Sequence, residues 1–255
     1  MPKQFYINLF EYESHYWWYV GLHELFGKFL KKYFGKNRDI KILDAGCGTG
    51  GLLEFLADYK NCEGIDFSAE AITFCRKRGL SNVHVEDINT WQPPQEAYDV
   101  IISADVLSDE GINQIDEVIK HFSLAIKDNG YLLLNLPAFE ILKRQHDKIF
   151  HSSRRFRVKD IKSILKQNGF KIKFISYRLP LLYLYIILSK TLVSKRRRRK
   201  TNEHDIPSWM NNILLAYNRM ENFLLSIGIR FPFGSSLFIA AQKKAARQTT
   251  SGRQT

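Results

Sequence analysis

The chain has 255 residues, 45% of them apolar and 13% aromatic, enough for one large core or one core with a small appendage. Its three cysteines, Cys47, Cys62 and Cys75, stand at no metal-ligand spacing, which argues against a disulfide framework and fits a reducing compartment. The formal net charge of +12 is local: Lys195 to Lys200 is an unbroken run of six cations, Lys243, Lys244, Arg247 and Arg253 add four more, and the rest is close to neutral. Such a block argues against an extended nucleic-acid track and makes an anionic membrane surface the expected electrostatic partner.

Residues 1–37 are rich in aromatics, among them Tyr6, Tyr16, Trp17, Trp18 and Tyr19, and end in the helix-like His23 to Leu30, so they are expected to pack as a helical lid. Met1 to Glu13 lacks the apolar stretch of a signal peptide, and a cytoplasmic location is expected. Strand-like runs follow at 40–44, 62–66, 82–86, 98–103 and 130–136, with helix-like runs at 51–60, 69–78 and 112–126 between them. This alternation predicts an α/β fold with a parallel, doubly wound sheet and helices on both faces. Lys127 to Gly130 is expected as the turn before the fifth strand, with Asn129 or Gly130 in the left-handed region. A further helix at 159–168, a sixth strand at 170–177 and a seventh at 235–241 complete the pattern.

The first strand-to-helix turn, Asp44-Ala45-Gly46-Cys47-Gly48-Thr49-Gly50, carries the most chemistry. Glycines let a backbone approach a ligand closely, and the free N–H groups at the next helix start favour electronegative groups. Asp66 ends the second strand-like run, where a carboxylate can accept both ribose hydroxyls, and Asp87 ends the third. Three acids at three successive strand ends, beginning with this D-x-G-x-G-x-G loop, resemble the class I S-adenosylmethionine (SAM)-dependent methyltransferases. The resemblance implies a Rossmann-like seven-stranded sheet whose last, antiparallel strand slots between the fifth and sixth, with SAM as cofactor. It also implies that Asp44 orients the methionine amino end, that the backbone of Gly46 and Gly48 faces the cofactor, that Asp66 takes the ribose diol, and that Asp87 and Ile88 lie at the adenine. The expected organisation is a lid at 1–37, the SAM-binding core at 38–178, an insertion at 179–234, the final core strand at 235–244 and a disordered tail at 245–255. After the fourth strand, where many relatives carry a Leu-Glu-His-like run, this chain has Leu107-Ser108-Asp109-Glu110, so no histidine role is carried over.

The insertion opens with an apolar run from Leu179 to Val193 in which only Lys190 is charged, directly before the basic block. About fifteen helical residues reach about 22 Å, short of the roughly 30 Å of a bilayer core. Beyond the block, Ile206, Trp209, Met210, Ile213, Leu214, Tyr217, Met220, Phe223, Leu224 and Ile227 recur at three- and four-residue steps, the pattern of an amphipathic helix. The two segments either pack on the sheet as core or form an interfacial patch, for which flanking Tyr, Trp, Lys and Arg argue.

Asn135-Leu136-Pro137-Ala138 is followed by His146-Asp147, His151 and Arg154-Arg155. This resembles a methyltransferase subgroup with Pro-Ala after the fifth strand and then His-Asp, His and Arg-Arg, often linked to glycan or lipid-linked substrates; His15-Tyr16-Trp17-Trp18 loosely matches its His-Trp-Trp run. An imidazole titrates near neutral pH, so His146 or His151 can deprotonate a hydroxyl, with Asp147 holding the tautomer. Arg154 and Arg155 can clamp a phosphate or carboxylate on the acceptor. The alternative is a polar loop that ties the insertion to the domain. A metal site is disfavoured, because helical residues five apart lie about 140° around the axis and do not share a face.

These features together predict a SAM-dependent methyltransferase acting on a hydroxyl of a lipid-linked or amphipathic acceptor, peripheral to the cytoplasmic face of a membrane. The alternative is a soluble O- or N-methyltransferase of a sugar or small metabolite, with the insertion as substrate cover or dimer interface. A nucleic-acid methyltransferase rests on net charge alone, since the basic block lacks interleaved aromatics and the chain has no N-P-P-[YF]-like run. Against a non-enzymatic binding module stands the presence of all three cofactor acids.

Overall fold

The computed structural model describes residues 3–142, 154–192 and 206–245. Two helices, α1 (Lys3–Tyr12) and α2 (Trp17–Phe34), precede the alternating region. That region runs β1 (Lys41–Ala45), α3 (Gly51–Phe55), β2 (Asn61–Asp66), α4 (Ala69–Lys77), β3 (Val83–Val85), β4 (Tyr98–Ala104), α5 (Ile115–Ala125) and β5 (Ile126–Pro137). After it come α6 (Val158–Gln167), β6 (Phe170–Arg178), α7 (Pro180–Leu192), α8 (Ser208–Ser226) and β7 (Ser236–Lys243). One seven-stranded sheet in the order β3-β2-β1-β4-β5-β7-β6 holds all the strands, parallel except for β7, which pairs antiparallel with both β5 and β6. The Rossmann-like methyltransferase sheet read from the sequence is therefore present, with the last strand in its expected slot.

Alternation along each strand divides the core into two layers. Ile101, Leu132 and Leu134 face α5 and α6 through Phe122 and Ile161, while Val100, Ile102 and Leu133 face α2 through Phe26 and Phe29. Burial on both faces is why these strands read as unbroken apolar runs.

The structure corrects two local expectations. Lys127 to Gly130 is not a turn between elements but an irregularity inside β5: Ile126 already pairs with Tyr98, and the register shifts before Tyr131 meets Val100. Asn129 takes a φ of 62° there, so the left-handed residue is as expected while the element boundary is not. The helix expected over 51–60 stops at Phe55, because Leu56 N–H reaches the carbonyls of both Leu52 and Leu53 and closes the turn that buries Tyr59.

Of the two alternatives for α8, packing as core or presenting an outward apolar face, the structure has the second, and the polar stripe of the helix faces inward. Asn218, Glu221, Asn222 and Leu225 are buried, whereas Trp209, Ile213, Met220, Phe223 and Ile227 are each more than half exposed. The cause lies in α2, at whose start Tyr16 provides no capping side chain. Trp17 N–H instead donates to Asn211 Oδ1 at 2.9 Å, and Asn211 Nδ2 donates to the His15 carbonyl at 3.0 Å. Asn222 Nδ2 donates to the Gly21 carbonyl at 2.6 Å and Asn218 Nδ2 to that of Trp17 at 3.4 Å. The helices meet where α2 has no side chain: a Cβ on Gly21 would stand 2.1 Å from Asn218 Nδ2. Among the described residues no helix is long and apolar enough to cross a membrane. Lys195 to Lys200 and the tail at 246–255 lie outside the described residues.

Candidate functional site

At the carboxyl end of β1 the chain turns through the glycine loop, and Gly46 N–H and Cys47 N–H both donate to the Ile65 carbonyl of β2, at 2.8 and 3.0 Å. Gly46 and Gly48 take φ values of 86° and 55°, and a Cβ on Gly46 would lie 2.1 Å from Val106 Cγ2, so two features at once require glycine there. The resulting cradle borders a cavity of about 1190 Å³. Asp44, Gly46, Gly48, Asp66, Asp87 and Ile88, the six residues the sequence singled out for the cofactor, all line it.

Their electrostatics differ. Asp44 is buried, and desolvation, reinforced by Glu13 and Asp66, holds its carboxyl well above the usual range. Burial also raises Asp66 to about 6, against the opposing pull of the Ser68 and Gly48 N–H groups, which donate to its two oxygens at 2.9 and 3.0 Å. Asp87 is exposed and accepts from the backbone and side chain of Asn89 at 2.9 and 2.7 Å. Neighbouring Ile88 is buried.

Glu13, just after α1, reaches into this loop and was not found in the sequence. Its Oε2 accepts from the Thr49 hydroxyl, from Gly51 N–H at 3.0 Å and from Arg78 Nη2 at 3.3 Å. Arg78 also donates to the carbonyls of Thr49 and Phe10, at 2.8 and 2.7 Å, and stacks on the Phe10 ring. The first helix is thereby strapped to the cofactor loop. Desolvation still outweighs these partners and lifts Glu13 to about 7. No fixed spacing links Glu13 to the loop, so no sequence pattern marks it.

A second group lies across the cavity at the ends of β4, β5 and β6. Asp105, Phe139 and Leu179, each just beyond one of these strands, have φ values of 60°, 54° and 58°, so three non-glycine residues in the left-handed region stand at one rim. Both carboxylate oxygens of Asp105 accept from Asn135 Nδ2 at 3.0 Å. Asn135 Oδ1 accepts from Arg178 Nη1 at 3.2 Å, and Arg178 Nη2 donates to Asn218 Oδ1 at 3.3 Å. Glu221 accepts from Leu179 N–H at 2.7 Å and from the Tyr217 hydroxyl at 2.9 Å, tying α8 into the same network. Burial raises Asp105 to about 7, with Arg178 the main opposing influence. A signal was available here: Asn135 interrupts the run Leu132-Leu133-Leu134 in a strand buried on both faces.

The structure separates the two arginines proposed for the acceptor. Arg155 lines the cavity and donates from Nη1 to the Ala138 carbonyl at 3.1 Å, whereas Arg154 Nη2 donates to the Ile112 carbonyl at 2.9 Å and is not on the cavity wall. His146, Asp147 and His151 lie outside the described residues. An apolar part of the wall is built by Trp17, Leu181, Tyr185, Met210, Ile213 and Leu214 from α2, α7 and α8.

A family model described as a methyltransferase domain matches residues 19–173. The chain belongs to that family. This methyltransferase is 28% identical over 141 residues to a malonyl-[acyl-carrier protein] O-methyltransferase of Bacillus cereus, an alignment covering 53% of the chain and 51% of the relative. It thus spans about half the length of the curated relatives it matches. In three dimensions it resembles a SAM-dependent methyltransferase from Archaeoglobus fulgidus, with a TM-score of 0.54 and 19% identity over 87% of the chain and 94% of the other. It also resembles a Haemonchus contortus phosphoethanolamine N-methyltransferase 2 in complex with SAM, with a TM-score of 0.56 and 17% identity over 87% of the chain and 52% of the other. The methyltransferase uses SAM, which supplies an electrophilic methyl group on a positively charged sulfur. The cradle fits that donor: it is open where a Cβ would close it, and carboxylates line it.

Proposed function

We propose that this methyltransferase transfers the SAM methyl group to a hydroxyl of a lipid-linked or amphipathic acceptor at an anionic membrane surface. The observation that carries the reading is the outward apolar face of α7 and α8. Leu181, Tyr185 and Ile213 line the cofactor cavity and are also 57%, 64% and 60% exposed, so the cavity opens through an apolar mouth. A chain-bearing acceptor enters such a mouth with its apolar part against the two helices and its polar end towards the cradle. The basic run Lys195 to Lys200 follows α7 in the sequence, and an apolar face with a polybasic run meets the two-signal requirement for stable peripheral binding. The name of the Bacillus relative, an O-methyltransferase, favours oxygen as the acceptor atom.

At the cofactor, Asp66 takes the ribose diol, Gly46 and Gly48 with Asp44 hold the methionine end, and Asp87 with Ile88 flanks the adenine. Arg155 faces a phosphate or carboxylate of the acceptor. On sequence grounds His146 or His151, oriented by Asp147, is a candidate for the acceptor's proton.

The test combines sedimentation with labelling. The protein should pellet with phosphatidylglycerol vesicles at low salt, and replacing Lys195 to Lys200 by neutral residues should release it at moderate salt. Lipid extract incubated with isotopically labelled SAM should yield an organic-phase methylated product by mass spectrometry. Absence of pelleting together with label only in water-soluble sugars or metabolites overturns the membrane reading in favour of the soluble one.

A further inference from the structure

We propose that Asp105 is the carboxylate that faces the methyl-bearing end of SAM and takes the acceptor's proton, and that Asn135 and Arg178 position it. This role is an alternative to the one the sequence suggested for His146 or His151, and it rests on SAM dependence and on the hydroxyl acceptor proposed above.

Placement is the first argument. Asp105 lines the cavity and directly precedes Val106, the side chain that closes over Gly46 of the cofactor loop. Its left-handed backbone, at φ 60° and ψ 7°, is a conformation that side-chain-bearing residues seldom adopt. That conformation is held from both sides: Asp105 N–H donates to the Asn135 carbonyl at 2.8 Å, and the Ser108 hydroxyl donates to the Asp105 carbonyl at 2.6 Å. A strained residue clamped at both backbone groups has its side chain aimed by the fold.

Arg178 supplies the second argument. A guanidinium only donates, so Arg178 requires the oxygen of the Asn135 amide and thereby turns the NH2 group towards Asp105. Arg178 is fully buried. Its charge reaches Asp105 through one oriented amide and stabilises the ionised carboxylate without occupying it. An ionised carboxylate has about four acceptor positions, and Asn135 takes one on each oxygen, leaving the others for the cavity.

The charges that act on Asp105 are Arg178 at the end of β6 and Arg155 after β5, and Asp105 in turn acts on the buried Tyr19 hydroxyl of α2, which Glu13 also influences. Two cations oppose burial, and the carboxyl sits near neutrality, where a base both exists and retains a proton well. In the transfer an acceptor oxygen lone pair forms the O–C bond, and the C–S pair leaves with sulfur, cancelling its charge. The O–H pair stays on oxygen as the proton passes to Asp105.

Sinefungin tests this without an acceptor, because it carries an ammonium where SAM carries the methylsulfonium, whereas S-adenosylhomocysteine is neutral there. Calorimetry with both ligands at pH 6 to 8 should show that the wild-type preference for sinefungin rises by about 10-fold as a carboxyl of pKa near 7 ionises. Asp105→Asn should lose that preference and its pH dependence while keeping its affinity for S-adenosylhomocysteine. Glu13→Gln, His146→Ala and His151→Ala should retain both. Asn135→Ala should move the midpoint upward, since the ionised carboxylate loses its hydrogen bond, a shift that a purely structural role does not produce. Preference and pH dependence persisting in Asp105→Asn, or vanishing instead in the Glu13 or histidine variants, overturns the assignment. An unmoved midpoint in Asn135→Ala overturns the positioning role.

Discussion

Replacing Glu13 with Gln should make the ligand-free protein more stable than wild type in alkali and no more stable in acid. Glu13 is 7% exposed, and its carboxyl moves from an ordinary 4.5 to about 7. The folded state therefore binds an extra proton between those values. The stability this contributes is complete below about pH 4.5 and is lost as pH rises through about 7. At 1.36 kcal/mol per pH unit, the 4.5-to-7 interval amounts to about 3 kcal/mol between pH 4 and pH 8.5. Gln is already neutral and still offers an oxygen to Thr49 and Gly51, so it escapes this loss. Urea denaturation of both proteins at several pH values reads the effect as a stability difference that grows towards alkali. A constant difference between pH 4 and 8.5 would mean that Glu13 ionises at its ordinary value and would refute the argument that burial dominates its partners.

Two further outcomes are expected. Gly21→Ala should cost about 1–3 kcal/mol in urea denaturation, because its Cβ would stand 2.1 Å from Asn218 Nδ2 and force α2 and α8 apart; unchanged stability would show that the helices part freely. Asp66→Ala should weaken SAM binding by about 100-fold through loss of a charge-assisted bidentate contact, and unchanged affinity by calorimetry would remove the ribose assignment.

The sheet was readable because burial on both faces leaves short apolar runs, Ile42-Leu43, Val100-Ile101-Ile102 and Leu132-Leu133-Leu134, at the centres of β1, β4 and β5, and the first turn carries its own glycine chemistry. The placement of three acids on the cavity was readable for a related reason: each lies at or just beyond the end of a strand, so one topology delivers Asp44, Asp66 and Asp87 to one edge. The partners of these acids were not. Glu13 meets Thr49 across 36 residues, and Asn218 meets Arg178 across 40, with no repeat or motif connecting either pair. The apolar steps of α8 gave a helix correctly but said nothing about which face turns inward. That choice depended on Asn211, Asn218 and Asn222 filling hydrogen-bonding needs of α2, and a helix start without a cap becomes visible only once the helix is in place. Asp105 was passed over because a lone acid after a strand is ordinary until its backbone conformation is known.

The way α8 hangs on α2 fixes more than its depth. Helices joined by apolar contact alone can slip by a turn and exchange one set of methyl contacts for another. Here a slip would strand the amides of Asn218 and Asn222 and the carboxylate of Glu221 without partners in a dry interface, an expense several times the free energy of ordinary thermal play. The helix is therefore an indexed part, held in rotation and in register like a keyed shaft. Any surface that settles on Trp209, Ile213 and Met220 also sets the angle of the glycine cradle behind them.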